Sequence, residues 1–202
     1  EDPRGVKRLN QALMHHHYGI TQWDFPDDNL CPAIPGRADA LHVMADLIAE
    51  HNRGYIPTGP KMVGLDIGTG ASLVYPLIGS VEYGWSFIGT DIAPDSIHAA
   101  LRILEANPVQ AQTITCRLQP NSNSIFNGML QPGEFIDFTL CNPPFHASED
   151  AASDAARRKI RHLKKRKPQG DMALNFAGLQ NELIYPGGEL AFIILMIKES
   201  IV

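Results

Sequence analysis

Apolar residues along the chain follow two rhythms, helical at first and strand–helix alternating after about residue 60. Val6, Leu9 and Leu13 form one stripe and predict a helix from about Val6 to Tyr18. Leu41, Met44, Ala45 and Ile48 form a second stripe, predicting a helix that starts near Ala38. Between them runs WDFPDDNLCPAIPGRAD, where Pro26, Pro32 and Pro35 discourage regular structure. A proline- and glycine-bearing link, Tyr55 to Lys61, then leads into a different pattern. MVGLDI reads as a buried strand, followed by a glycine turn and a helix near Ser72 to Ser80. WSFIGTDI is a second strand, and the helix after it, Pro94 to Ala106, opens with a proline that a first turn tolerates. QTITC, FIDFTLC and GELAFII are read as the third, fourth and fifth strands. Such alternation predicts an open, doubly wound α/β fold whose mainly parallel sheet is covered on both faces. Residues 1–57 form a helical extension expected to pack on a core spanning 58–202.

In sheets of this kind ligands bind beyond the carboxyl ends of the strands. Three clusters fall there: Asp66–Ser72, Thr90–Asp91 and Asn142–Phe145. Gly68 and Gly70 allow a tight turn and close approach of a ligand to the backbone. A nicotinamide-cofactor fingerprint wants glycine at position 73, where Leu73 stands. Asp66, inside the glycine motif, suits a cofactor without a pyrophosphate to repel; it can hold the loop or approach a cationic amino-acid group. Asp91, 23 residues after Gly68, is placed to accept both hydroxyl protons of a ribose, which favours a nucleoside-containing cofactor. Asn142-Pro143-Pro144-Phe145 is the most specific feature. Two prolines stiffen the backbone and remove two donors, so the carbonyls there serve as acceptors. The Asn142 side-chain oxygen and the Pro143 carbonyl can together hold a planar –NH2 group, and Phe145 offers a face for a base to stack on.

Composition narrows the class. The chain has 202 residues, 44 % of them apolar and 19 % charged, which is ordinary for one globular domain and argues against a disordered chain. It holds no apolar run long enough to cross a membrane, and its first residues have no secretory pattern. The three cysteines, Cys31, Cys116 and Cys141, are widely spaced, so neither a disulfide framework nor a metal site is expected, and a cytoplasmic setting fits. His15-His16-His17 sits within a helical pattern and is assigned no metal. The net charge of −5 hides an uneven distribution: RRKIRHLKKRK, from Arg157 to Lys167, carries eight Lys/Arg in eleven residues. Without those eight, nine basic residues remain against 22 acidic ones, a balance of −13. One basic segment on an acidic body points to a phosphate backbone or an acidic partner. Trp23 and Phe25 are open to two readings, stacking on bases or packing of the N-terminal segment on the sheet.

D-x-G-x-G, an acidic strand end and N-P-P-F together resemble the class I S-adenosylmethionine-dependent amino-methyltransferases, whose fold is Rossmann-like. Longer strings, WDFPDDNLCPAIPGRADALH, LDIGTGASLVYPLIG, EYGWSFIGTDI, IFNG, CNPPFHAS and ALNFAG…GGELAF, are similar to the bacterial 23S ribosomal RNA adenine-N6 methyltransferases of the RlmF type. Their eukaryotic relatives act on adenines in small nuclear and messenger RNA hairpins. The resemblance runs along nearly the whole chain. It implies that S-adenosylmethionine is the cofactor, that S-adenosylhomocysteine is its product, and that 23S ribosomal RNA or a ribosome assembly intermediate is the partner. It places Arg37 near the cofactor's carboxylate, Asp66, Gly68, Gly70 and Ser72 in the loop around its methionine part, Asp91 at the ribose and Asn121 near the adenine. Asn142 to Phe145 become the target-amine motif, with Asn142 also bordering the cofactor. Asp91 stands where the class commonly has Glu, and Ser72 where the generic motif has a third glycine. The class carries two further strands beyond the fifth, so its C-terminal strands are expected to be missing from these 202 residues.

Two other classes use the same features: methylation of protein glutamine or DNA adenine by the same corner, and a non-catalytic RNA-binding module. A target base must be flipped out or presented in a loop. The basic residues Arg157, Arg158, Lys159, Arg161, Lys164, Lys165, Arg166 and Lys167 are expected to grip phosphates from a mobile loop spanning 148–171. His146, next to the motif, is assigned no base role, since a neutral amine gains its charge only as the new bond forms. Neutralising about four phosphates predicts that log K changes by roughly −3 per decade of salt on a single strand. A salt titration of RNA binding by fluorescence anisotropy checks this, and replacing Arg157, Arg158, Lys164 and Lys165 by Ala flattens the slope.

Overall fold

The computed structural model describes residues 2–144 and 184–200. Helix α1 (Pro3–Tyr18) begins earlier than its apolar stripe because Asp2 accepts the Arg4 N–H at 3.1 Å and Pro3 occupies the first turn. It ends at Gly19, whose φ of 66° lets its N–H reach back to His15 while that of Ile20 reaches Met14. Helix α2 (Ile34–His51) also starts early. Pro35 lies in its first turn, where a missing N–H costs nothing, so the proline marks a start rather than a break. Ala33 offers no capping oxygen; the buried Asn10 side chain of α1 accepts the Ile34 N–H at 3.1 Å instead. Trp23 and Phe25, between the two helices, are buried in the core, which decides for packing over base stacking.

The four described strands are β1 (Val63–Ile67), β2 (Ser86–Asp91), β3 (Ile114–Leu118) and β4 (Phe138–Cys141). All pair in parallel, in the order β3-β2-β1-β4, so the sheet grows outward from β1 in both directions. Helices α3 (Val74–Glu82) and α4 (Pro94–Ala106) are the crossovers after β1 and β2. Together with α1 and α2 they bury one face of the sheet, on which Phe87, Ile114, Phe138 and Leu140 point. Leu65, Ile67 and Ile88 alternate to the other face, covered by Ile125 and by helix α5 (Gly188–Glu199). The result is the doubly wound α/β arrangement that the strand–helix alternation predicts.

GELAFII is the exception: read as a fifth strand, it forms the start of α5. Its apolar run is nearly continuous, and a short run of that kind does not by itself distinguish a strand from a buried helix. Two structural facts decide. Gly187 and Gly188 take φ of 87° and 71°, a turn that only glycine adopts easily and that launches the helix. Phe192, Leu195, Met196 and Glu199 then fall on one helical face toward the sheet. Phe145, His146 and the basic run 157–167, with the loop expected at 148–171, lie outside the described residues.

β1 is pinned at Gly64, which pairs with Phe87 on one side and Phe138 on the other. Those two rings meet edge to face over it, with centroids 5.8 Å apart. A Cβ at Gly64 would lie 2.5 Å from the Phe138 ring and 2.7 Å from that of Phe87. Gly64→Ala is therefore expected to destabilise the fold by about 1–3 kcal/mol, whereas Gly36→Ala, in open space on α2, changes stability by less than about 1 kcal/mol. Urea unfolding of both variants checks the contrast.

Candidate functional site

The carboxyl ends of β1, β2 and β4 open onto one cleft, and each element delivers one part of it. After Ile67 the chain turns at Gly68 and Gly70, with φ of 71° and 65°. The N–H groups of Gly68 and Thr69 both donate to the Thr90 carbonyl, at 2.8 and 2.9 Å, folding the turn back onto the end of β2. Nothing lies within 4 Å of a Cβ built at Gly68, so that residue's missing side chain leaves room rather than relieving a clash. Leu73, fully buried, takes a left-handed φ of 52° to start α3. This costs a non-glycine residue about 1–2 kcal/mol. The residue before it is held from outside, because the Trp23 indole N–H donates to the Ser72 carbonyl at 2.6 Å.

Asp66 is the buried foundation of the turn. Its carboxylate accepts the Thr69 hydroxyl at 2.7 Å. Burial pushes its pKa up to about 7; the Thr69 hydrogen bond opposes that, the Asp91 charge adds to it, and the Arg37 charge opposes it. Of the two roles read from sequence for Asp66, holding the loop is the one this geometry displays. Asp91, at the end of β2, accepts the Gly70 N–H at 2.9 Å and the Ala93 N–H at 2.8 Å through different oxygens. These two bonds fix the orientation of the carboxylate at the rim of the cleft.

Arg37, in the first turn of α2, enters the cleft from the N-terminal segment. Its Nη1 donates to the Tyr75 hydroxyl at 3.0 Å and to Asn142 Oδ1 at 3.1 Å, and its guanidinium lies 5.4 Å from the centroid of the Tyr75 ring. Asn142 and Pro144, just past β4, line the cleft, and Pro143 lies between them. Cys141 lines it too, but burial pushes its thiol up to about 12, so it is not a thiolate at neutral pH; Cys116 is likewise held at about 12 by burial.

Arg37, Gly68, Gly70, Ser72, Asp91, Asn142 and Pro144 thus come together on one surface. Asn121 does not line it. Its backbone N–H donates to Gln119 Oε1 at 3.1 Å, and its side chain bonds the Asn123 N–H and the Ser124 hydroxyl, shaping the turn. Ser122, Ser124 and Ile125 form the wall there instead. Tyr75 and Gln119 are not marked by the sequence, Thr69 is marked only as part of the Asp66–Ser72 cluster, and Trp23 only as an aromatic that stacks on bases or packs on the sheet. The D-x-G-T spacing could have flagged Thr69; Tyr75 and Trp23 act through partners 38 and 49 positions away, and Gln119 through the carbonyls of an irregular segment six and eight residues on. Among the described residues no group of His, Cys, Asp or Glu could hold a metal ion, and no helix is long and apolar enough to cross a membrane.

A family model described as RNA methyltransferase matches residues 1–202. Over 200 residues the chain is 52 % identical to a "Ribosomal RNA large subunit methyltransferase F" of Ectopseudomonas mendocina, covering 98 % of this chain and 60 % of that protein. A protein of the same name from Serratia proteamaculans is 48 % identical over 200 residues, covering 99 % and 60 %. The chain spans about 60 % of the length of these curated relatives. Among solved structures, the catalytic domain of human Mettl16 in complex with MAT2A 3′UTR hairpin 1 superposes with a TM-score of 0.78 at 29 % identity, covering 100 % of this chain and 63 % of that one. The N-terminal domain of human METTL16 in complex with SAH gives 0.62 at 29 % identity, covering 82 % and 64 %.

The raised pKa of Asp66 has a direct consequence for stability. Between the unfolded carboxyl value near 4 and the folded value of about 7, the folded state retains a proton the unfolded state has lost. Stability therefore falls as pH rises through that window and levels off above it. From pH 5 to pH 8 this group costs up to about 3 kcal/mol. Urea unfolding at both pH values is expected to show a smaller drop in Asp66→Asn than in the parent protein.

Proposed function

The chain belongs to the RNA methyltransferase family, and from that premise we propose that it uses S-adenosylmethionine to methylate the exocyclic N6 of one adenine in 23S ribosomal RNA. One observation carries the reading: the glycine turn, the Asp91 carboxylate, the Arg37 guanidinium and the Asn142–Pro144 corner share a single cleft. The Rossmann-like fold of the class I methyltransferases, expected from the motifs, is the fold of this chain.

The donor set suits a zwitterionic nucleoside. Arg37 supplies a cation for a carboxylate, Asp91 an acceptor for ribose hydroxyls, and Ile125 an apolar wall. The open space over Gly68 admits a ligand against the backbone, as a side chain there would not. When bound, S-adenosylmethionine would supply a methyl on a positively charged sulfur, which departs as a neutral thioether without protonation or metal assistance.

The chain's own contribution is alignment and preparation of the amine. Asn142 Oδ1, steadied by the Arg37 N–H, retains a second lone pair for one amine proton, and the Pro143 carbonyl can take the other. Holding both protons in this way draws the nitrogen lone pair out of conjugation with the purine. The proline pair keeps the acceptors in place without a competing N–H. The nitrogen becomes cationic as the bond forms and then releases a proton to solvent, so no strong base is needed beforehand. Phe145 is proposed to stack on the target base, and the run 157–167 to grip flanking phosphates of the RNA or of an assembly intermediate; both lie outside the described residues. A cytoplasmic setting belongs to the same proposal.

Asn142→Ala is expected to lower methyl transfer to 23S ribosomal RNA by about 10²–10³-fold, the size of effect seen when one preorganised polar contact is removed. RNA affinity stays within about twofold. Transfer of labelled methyl to 23S RNA, DNA and a glutamine peptide, read side by side, checks both role and substrate. Unchanged turnover removes the role of Asn142, and labelling of DNA or peptide alone replaces the substrate.

A further inference from the structure

Between β3 and β4 the described chain forms no helix or strand, yet Ile125 in this segment is buried and lines the cleft. Buried irregular backbone must have its N–H and C=O groups satisfied individually. Here two side chains do so from opposite polarities. Gln119, itself buried, donates from Nε2 to the carbonyls of Ile125 and Asn127 at 3.4 and 3.1 Å. Glu199, in the last turn of α5, accepts the N–H groups of Ile125 and Phe126, each at 2.8 Å, and that of Asn127 at 3.4 Å. The IFNG string, which the sequence marks but no catalytic role explains, is the segment so held.

We infer that Glu199 and Gln119 are positioning residues, a two-sided clamp on residues 125–127 that sets the cofactor-facing wall of the cleft. Helix α5 is tied to that wall at two places. Phe192 lines the cleft and packs in the cluster around Ile125, and Glu199, two turns later on the same face, holds the backbone. Burial by itself would raise the Glu199 carboxyl, but the N–H groups of residues 125–127 and the Ser124 hydroxyl hold it below the usual carboxylate range. The clamp therefore works through an ionised acceptor, whose hydrogen bonds are stronger than neutral ones. Its service to cofactor affinity rests on the proposed reading of the cleft.

The test uses the full-length protein with Glu199→Gln and Gln119→Ala, singly and together, each checked for a native circular dichroism spectrum. Calorimetry reads the dissociation constant for S-adenosylhomocysteine, steady-state kinetics read KM for S-adenosylmethionine against kcat, and hydrogen exchange reads the amides of 125–127. The expected result for each single variant is exchange at 125–127 at least tenfold faster, with affinity for S-adenosylhomocysteine down about tenfold. KM rises in parallel while kcat at saturating cofactor stays within about twofold. The double variant loses less than the product of the single losses, because both groups act on the same peptides. A lowered Tm with unchanged affinity makes the two residues merely structural and overturns the inference. Failure of the parent protein to bind S-adenosylhomocysteine overturns the reading of the cleft and the clamp's role in binding with it, while exchange at 125–127 still reports the clamp itself.

Discussion

Everything at the carboxyl edge of the sheet hangs on one backbone oxygen. The Thr90 carbonyl receives the N–H groups of both Gly68 and Thr69, so the chain leaving β1 doubles back against β2 instead of continuing outward. That reversal requires positive φ at Gly68, brings the Gly70 N–H within 2.9 Å of the Asp91 carboxylate and starts α3 at Leu73 in a left-handed conformation. A turn so tight is strained, and its neighbours are arranged to hold it. Asp66 takes the Thr69 hydroxyl from below and Trp23 takes the Ser72 carbonyl from the side.

The N-terminal segment is consequently part of the site as well as a cover for the core. Residues 21–23 are tied to α4 and to the turn before α3: Asn107 at the α4 terminus accepts the Thr21 N–H and donates to the Gln22 carbonyl, and Trp23 donates to the Ser72 carbonyl. Asn10 caps α2, and that helix start is what presents Arg37 to Tyr75 and Asn142. A helix whose first turn carries an arginine toward the cleft must be anchored at that turn. The buried asparagine provides the anchor where Ala33 could not.

Buried charge is handled consistently. Asp66 is relieved by a proton near neutrality and by the Thr69 hydroxyl, whereas Glu134, partly exposed, forms a two-point ion pair with Arg117 that holds its carboxyl down at about 2. The Arg117 guanidinium also bonds the Met129 carbonyl, so the same cation braces the irregular chain between β3 and β4. Together with Gln119 and Glu199, this gives that stretch a polar skeleton in place of regular structure.

Local rules made much of this legible in advance. The period of the apolar residues marks β1 to β4 and α4, because parallel strands buried on both faces read as continuous apolar runs. Gly68, Gly70, Asp91 and Asn142 announced themselves because a turn, a strand-end carboxylate and a rigid acceptor corner each need particular residue types at a particular place. α5 was misread, since its apolar run suits either rhythm and only the Gly187–Gly188 turn and the face it buries select the helix. The partners of the site stayed hidden for a different reason. Glu199 meets Ile125 across 74 positions of chain, Arg37 meets Asn142 across 105 and Trp23 meets Ser72 across 49. Sequence spacing carries backbone preference and periodicity, which act over a few residues. Which distant donor finds which acceptor is settled only when the sheet and its helices pack.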